Sequence, residues 1–364
     1  MKHSVIKLFA FLLLAFFTFF QPVSAVETSP ETARNREPVR GVWITVTDSK
    51  VLYSRQNIAA AMEKLKTLGI NNAYVVVWRQ GRTVYPSNVM KKLTGIEIQE
   101  DMKGRDPLQE CIKEGHKRGI KVHAWFEFGF ASSYQDNGGI LLKIHPDWAC
   151  IGKDGKPVVK NGFYWMNSLN PEVQNLMTSL FSEVVEKYKV DGVQGDDRLP
   201  AMPVEGGYDS VTSALYEKET GKKPPSDFRE AEWVQWRSDR LTLYMETLSK
   251  TLRKIKPEII ISSSPSIYPW SRDEYLQDWI CWVEKGYVDY ACPQIYRRNF
   301  ADYKKEMDSL FDEYLAAPYH DRIFPGLLLK VGKYRAEKDL IDSMIKENRN
   351  RGVEGEVYFF YEGL

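Results

Sequence analysis

The chain has 364 residues, with 50 Lys and Arg against 49 Asp and Glu, a formal charge of +1. That balance, without long basic runs, argues against nucleic acid or an anionic membrane surface as the main partner. With 43% hydrophobic residues spread along it, a chain of this length suits one large domain with a substantial core.

Lys2, His3 and Lys7 flank an apolar run over 8–20, and Val23-Ser24-Ala25 offers a small-residue cleavage site. This is the pattern of a secretory signal peptide over 1–25. The run is short for a membrane-crossing helix, which leaves an uncleaved anchor as the rival reading. The expected location is outside the cell, or in the periplasm or cell envelope, with no integral membrane partner. No cysteine precedes Cys111, so a lipid-modified N-terminal cysteine is excluded. Residues 26–38 are polar, contain Pro30 and Pro38 and lack periodicity, so they read as a linker before a domain over 39–364.

Strand one is expected over 39–45, then a helix over 56–68 with Ile58, Met62, Leu65 and Leu68 on one face and Gly69 as its stop. Strand two spans 73–78, and its helix starts at Asp106-Pro107, a cap followed by proline at the first helical position, and stops at Gly119. Strand three, 122–128, alternates strictly. His123, Trp125 and Glu127 share one face, while Val122, Ala124, Phe126 and Phe128 share the face toward helices.

The excursion over 129–169 carries His145, Trp148, Tyr164 and Trp165, and loops of that length in compact domains are usually functional. Asn170-Pro171 caps the next helix. Strand four, over 190–198, points Gly192, Gln194 and Asp196 inward and leaves Asp197 at its end. A second long loop follows, then an amphipathic helix over 230–255. Strand five covers 259–264, and strand six, over 290–296, puts Tyr290, Cys292, Gln294 and Tyr296 on one face. A helix over 300–315, strand seven over 323–329, a helix over 337–350 and strand eight over 356–361 complete the series.

Eight strands, seven of them followed by helical patterns, predict an α/β fold, a single-domain (β/α)8 TIM-type barrel lacking its last helix, with long loops after strands three and four. An open doubly wound sheet is the alternative. Cys111 at core spacing and Cys292 within a strand read as buried thiols, and a Cys150–Cys281 disulfide is the weaker expectation.

Barrels place chemistry at the C-terminal ends of their strands. The carboxylates that fall there are Glu127, Asp196, Asp197 and Glu362. Hydrolysis of a glycosidic bond needs a proton donor for the leaving oxygen and a second carboxylate that attacks, activates water or steadies the oxocarbenium-like transition state. Asp196 is the leading candidate for the second role with Asp197 as its partner, Glu127 is the favoured proton donor, and Glu362 is held in reserve. The structural alternatives are a salt bridge or helix cap at Asp196-Asp197 with Arg198, and hydrogen bonds within the barrel for Glu127 and Glu362.

Trp43, Trp78, Trp125, Trp148, Trp165, Tyr296 and Tyr361 lie near strand ends or in the long loop. Flat rings suit the C–H faces of sugars, and Arg79, His123, Gln194, Arg198 and Gln294 offer hydrogen bonds to hydroxyls. The histidines show no ligand spacing and the cysteines form no C-x-x-C. There is no G-x-S-x-G, Walker loop or G-x-G-x-x-G after a strand. No metal and no organic cofactor are therefore expected. The partner is a polysaccharide or oligosaccharide substrate.

Taken together, the stretches RGVWIT from Arg40, VHAWFEFGF from Val122, HPDW from His145, VDGVQGDDR from Val190, PSDFREAEWVQWRSDR from Pro225, LQDW from Leu276, PQIYR from Pro293 and FFYEGL from Phe359 resemble the bacterial glycosyl-hydrolase-like family 10. The resemblance runs from about Pro38 to the C-terminus. It implies a TIM-type barrel and glycosidase activity, with some members acting on peptidoglycan strands stripped of their peptides, and it singles out Asp196 and Asp197 as the centre. Gly195 and Arg198 depart from the more apolar surroundings many members carry. Strand four also faintly resembles the chitinase D-x-D-x-E signature, but Gln194 and Arg198 stand where that pattern wants acids.

The expected activity is hydrolysis of an amino-sugar-containing envelope glycan, with a 2-acetamido group as an alternative internal nucleophile. A non-catalytic glycan-binding protein and a hydrolase of a neutral glucan or exopolysaccharide remain open beside it.

Overall fold

The computed structural model describes residues 37–364, and Pro38–Leu364 form one compact unit. The expected signal peptide and most of the expected linker, 1–36, lie outside the described residues. Eight parallel strands form the frame: β1 (Arg40–Ile44), β2 (Asn72–Val76), β3 (Lys121–Phe126), β4 (Gly192–Asp196), β5 (Ile260–Ser264), β6 (Tyr290–Ala291), β7 (Gly326–Leu328) and β8 (Glu356–Phe359). Hydrogen-bonded order runs β6-β5-β4-β3-β2-β1-β8-β7. A parallel bridge between Ala291 and Ile323, with bonds from Phe324 N to Ala291 O (2.9 Å) and from Gly326 N to Pro293 O (2.8 Å), joins the two remaining edges. The sheet curls into the expected barrel, not an open doubly wound sheet.

The crossover helices are α1 (Arg55–Thr67), α2 (Pro107–His116), α3 (Pro171–Lys187), α4 (Ala231–Ile255), α5 (Trp279–Glu284), α6 (Phe300–Asp308) and α7 (Lys338–Asn350). Their starts follow from capping chemistry. Asp106 accepts from Gln109 N, Asn170 from Glu172 N and Asn299 from Asp302 N, each satisfying a donor that the first turn leaves open. The apolar face of α3 buries Leu180, Phe181 and Val184, and Phe181 stacks on Phe126 of β3 with ring centroids 3.6 Å apart. Burial of side chains this size stabilises the fold by about 2–3 kcal/mol each.

Several elements are shorter than the pattern predicts. β6 stops at Ala291 instead of 296, because Pro293 has no N–H to extend a ladder. The expected 300–315 helix is α6 followed by a π-helical turn, Ser309–Tyr314. β8 ends at Phe359 and passes into the 3-10 turn Tyr361–Gly363.

The long loops carry structure that has no simple period. After β3, Ala131–Tyr134, Val159–Lys160 and Phe163–Trp165 form a small antiparallel sheet. After β4, Ser210–Thr220 is a helix. Buried Arg237 of α4 donates to the carbonyls of Val204, Gly206, Phe228 and Trp233, bracketing that second loop. All four cysteines are free, with Cys111, Cys150 and Cys292 buried and Cys281 half-buried. No Cys150–Cys281 disulfide forms.

Candidate active site

Two layers of polar residues fill the barrel. The deeper one is neutral and hydrogen-bonded. His123 Nε2 lies 2.8 Å from Asn72 Oδ1, and Asn72 Nδ2 donates to Asn71 Oδ1, so the Asn72 oxygen is an acceptor and His123 carries its proton on Nε2. Nδ1 is left without a partner, pressed against Gly192, where any Cβ would fall 2.3 Å from it. Burial holds this imidazole neutral, pulling its pKa down to about 4. Tyr74 and Tyr290 share a hydroxyl contact of 2.8 Å, and Trp43 donates to Gln194 Oε1 at 2.8 Å while Gln194 Nε2 donates to Ser262 at 3.1 Å.

Above this layer the strand ends bring charges together. Asp196, the last residue of β4, is buried; Arg198 Nη2 approaches its Oδ2 at 2.6 Å, while Gln294 Nε2 at 2.7 Å and Ser264 Oγ at 3.1 Å donate to its Oδ1. Every one of these contacts is a donor. Gln294 Nε2 also donates to the Ser264 carbonyl at 2.9 Å, which fixes the orientation of its amide. Burial pushes the Asp196 pKa well up and Asp197 adds to this, while Arg198 opposes both. Asp197, just past the strand and partly exposed, pairs through Oδ1 with Arg198 Nη1 at 2.8 Å and accepts from Ser266 at 3.5 Å. Glu127, the residue after β3, lies 3.5 Å from Arg79 Nε. Burial raises its carboxyl above the ordinary range, with Arg79 and Arg198 pulling it back.

Arg79 also donates to Thr47 at 2.9 Å. Tyr296 sits beside the aspartates, whose charges raise its hydroxyl further after burial, and packs on Phe359 at 4.9 Å. The structure therefore brings Asp196, Asp197, Glu127, Arg79, Arg198, Gln294 and Tyr296 together at the mouth.

The other residues singled out in the sequence lie elsewhere. His123 and Gln194 belong to the deeper layer, since strand alternation fixes the inward face but not the depth. Trp43 and Trp125 pack on each other within the barrel at 6.2 Å. Trp78 is buried with its indole donating to the Gly129 carbonyl at 3.0 Å. Trp165 is buried against Tyr275 at 5.4 Å. Glu362 accepts from Ser49 at 2.9 Å, and Tyr361 lies under Lys64 of α1, 5.2 Å away, both in the 3-10 turn that follows β8. Trp148 stacks on His145 at 4.0 Å and donates to Glu172 at 2.8 Å, lining a separate cavity of about 530 Å³ with Lys92, Leu93 and Asn175.

Tertiary structure adds residues without a periodic signal. Ser264 and Ser266 touch the aspartates; Ser264 ends β5 and is readable as a polar strand end. Tyr275 faces Asp197 electrostatically and accepts from Asn161 at 2.8 Å. Phe163, from the loop sheet, lies under the Arg198 guanidinium at 4.7 Å. Tyr134 and Trp270, each 43% exposed, present rings near this rim through Phe163 and Tyr275 respectively. They are solvent-accessible in a way that the tryptophans named from sequence are not.

Among the described residues, one group can approach a cation: the ligand atoms of His145, Asp147 and Glu172 lie within 4.8 Å of one another. His145 and Asp147 flank Pro146 and Glu172 is remote in sequence, so spacing alone hides the group. Glu172 is exposed in the first turn of α3, where the helix dipole favours an acid, and the Trp148 indole holds it there.

Comparison with known proteins agrees with this architecture. The chain is 29% identical over 323 residues to glycosyl hydrolase DigH of Escherichia coli K12, covering 76% of this chain and 69% of that protein. It is 24% identical over 330 residues to glycosyl hydrolase YngK of Bacillus subtilis, covering 81% and 60%. Among solved structures, the PgaB glycoside hydrolase domain of Bordetella bronchiseptica superposes with a TM-score of 0.67 at 12% identity, covering 89% of this chain and 94% of that one. The catalytic domain of β-amylase from Paenibacillus polymyxa gives 0.60 at 9% identity, covering 90% and 93%; at such identities the likeness is one of fold. Residues 38–357 match the family described as Glycosyl hydrolase-like 10, and the chain belongs to that family of glycoside hydrolases.

Proposed function

We propose that this glycoside hydrolase cleaves an amino-sugar-containing glycan of the bacterial cell envelope, with peptide-free peptidoglycan strands as the first candidate, and that residues 1–25 export it there. The observation that carries the chemistry is the group of three carboxylates at the barrel mouth with two arginines among them. Asp196 is buried and engaged by Arg198, Gln294 and Ser264, so its role is to orient. Asp197 is partly exposed beside it and faces the positive charge that develops at the anomeric carbon. Glu127, raised by burial, keeps a proton to higher pH and delivers it to the leaving oxygen. Water completes the hydrolysis. The exposed rings of Tyr134 and Trp270 offer sugar-stacking surfaces.

The substrate choice follows from the family resemblance. It is tested by incubating the protein and its Asp197→Asn variant with peptidoglycan, peptide-free strands and a panel of glucans, reading products by mass spectrometry. Fragments from amino-sugar strands made by the parent alone are expected. Release from a glucan would overturn the substrate, and binding without fragments would replace the reaction with glycan binding.

A further inference from the structure

Arg198 reaches every element of the acidic group. Its Nη2 and Nη1 meet Asp196 and Asp197 at 2.6 and 2.8 Å, and its Nε and Nη2 donate to the Glu127 carbonyl at 3.1 and 2.7 Å. Three of its five N–H groups thereby donate hydrogen bonds and Nη1 is paired with a carboxylate, leaving little for a sugar. Its guanidinium lies over Phe163 and Phe128 at 4.7 and 5.6 Å. The backbone is clamped as well: Phe130 N donates to the Arg198 carbonyl at 2.9 Å, and a Cβ on Gly129, at φ +47°, would come within 2.3 Å of that oxygen. A side chain held from so many directions is built to stay in place.

Two carboxylates on successive residues repel, and without compensation such a pair shares a proton. A planar guanidinium matches two carboxylates at once, which a lysine ammonium does not. We propose that Arg198 is a positioning residue that divides its guanidinium between Asp196 and Asp197, offsetting the repulsion between their carboxylates and holding the pair in place beside Glu127 as the proton donor. This rests on reading Asp197 as the reacting carboxylate. The groups facing the pair are Glu127 and, across it, Arg79, together with Tyr275 and Tyr296, whose hydroxyls burial keeps neutral. Ser264, Ser266 and Gln294 are neutral donors.

The test combines two readouts on the parent, Arg198→Met and Arg198→Lys. One is the pH profile of kcat/KM on a glycan that the parent cleaves. The other is an NMR titration of protein labelled with carboxyl-13C aspartate, assigned with Asp196→Asn and Asp197→Asn. In Arg198→Met, which keeps packing between the two phenylalanines, one aspartate should take up a proton at least about one pH unit higher than in the parent. The acidic limb should move with it, and kcat should fall more than KM rises. Arg198→Lys should lie between.

An unchanged titration and limb, with the loss confined to KM, would make Arg198 a substrate contact and overturn the proposal. Should Arg198→Met fail to fold, the lysine variant carries the test, and an unshifted limb there overturns it. If the parent cleaves no glycan, the substrate proposal fails by itself and the NMR titration still decides the role of Arg198.

Discussion

The deeper interior of the barrel and its mouth both bury polar side chains on inward strand positions, yet they do so in opposite ways. Below, Asn72, Tyr74, His123, Gln194 and Tyr290 form short neutral contacts, and even the histidine is kept uncharged. Above, the acids Asp196, Asp197 and Glu127 face the cations Arg79 and Arg198 in contacts that compete, with Asp197 open to solvent on one side. Neutral pairs settle into one arrangement and add rigidity. Opposed charges in a low-dielectric setting hold a field ready for a reacting group. The lower layer is a platform for the upper one.

The largest expected separation between the layers is catalytic. Asp197→Asn should lower kcat/KM by about 10²–10⁴-fold while thermal unfolding stays close to that of the parent; activity within a few-fold of the parent would remove Asp197 from the chemistry. The basic limb of the same profile tests the donor. Because burial raises Glu127 above its ordinary value of 4.5, its proton is lost, and the rate falls, only as pH rises through that higher value. Glu127→Gln should abolish the limb along with most of the rate. A limb that persists in Glu127→Gln would assign the donor elsewhere.

The lower layer should respond to acid in stability and not in chemistry. His123 has an ordinary pKa of 6.5 and is held at about 4 in the fold, so the unfolded chain binds its proton first. The stability this histidine confers is full above pH 6.5 and drains away as pH falls from 6.5 toward 4, by roughly 3 kcal/mol in all. Denaturant melts of His123→Gln should lose that part of the acid slope, whatever its midpoint at neutral pH; the same slope as the parent would show that other groups carry it. The smallest effect is expected from Tyr74→Phe. Loss of one partner in the buried Tyr74–Tyr290 contact should lower stability by about 1–2 kcal/mol, with kcat/KM unchanged. A large catalytic effect there would merge the two layers.

Much of this arrangement was legible beforehand, for identifiable reasons. The period-two pattern of β3 sorted Phe126 toward α3 and His123, Trp125 and Glu127 away from it, and Asp106-Pro107 and Asn170-Pro171 marked helix starts through local capping chemistry. Asp196 and Asp197 were readable because a β-branched run ends on them. Depth was not readable. His123 and Glu127 share one face of one strand segment, and only the packing of neighbouring strands puts one beneath the site and the other in it.

Nor could aromatic content distinguish a platform from a core. Trp43, Trp78, Trp125 and Trp165 are buried, whereas Tyr134 and Trp270 present their rings to solvent.

The amino-acid sequence by itself determined the order of strands and helices, the barrel class, the family and the pair of aspartates at a strand end, because these depend on periodicity, capping and motifs within a few residues of one another. The tertiary structure alone decided that Arg198 stands between those aspartates, that Gln294 and Ser264 engage Asp196 from neighbouring strands, and that Glu362 is taken up by Ser49 and Tyr361 by Lys64. Those contacts join residues up to a hundred or more positions apart, and their geometry exists only once the barrel has curled and brought its strand ends to one rim.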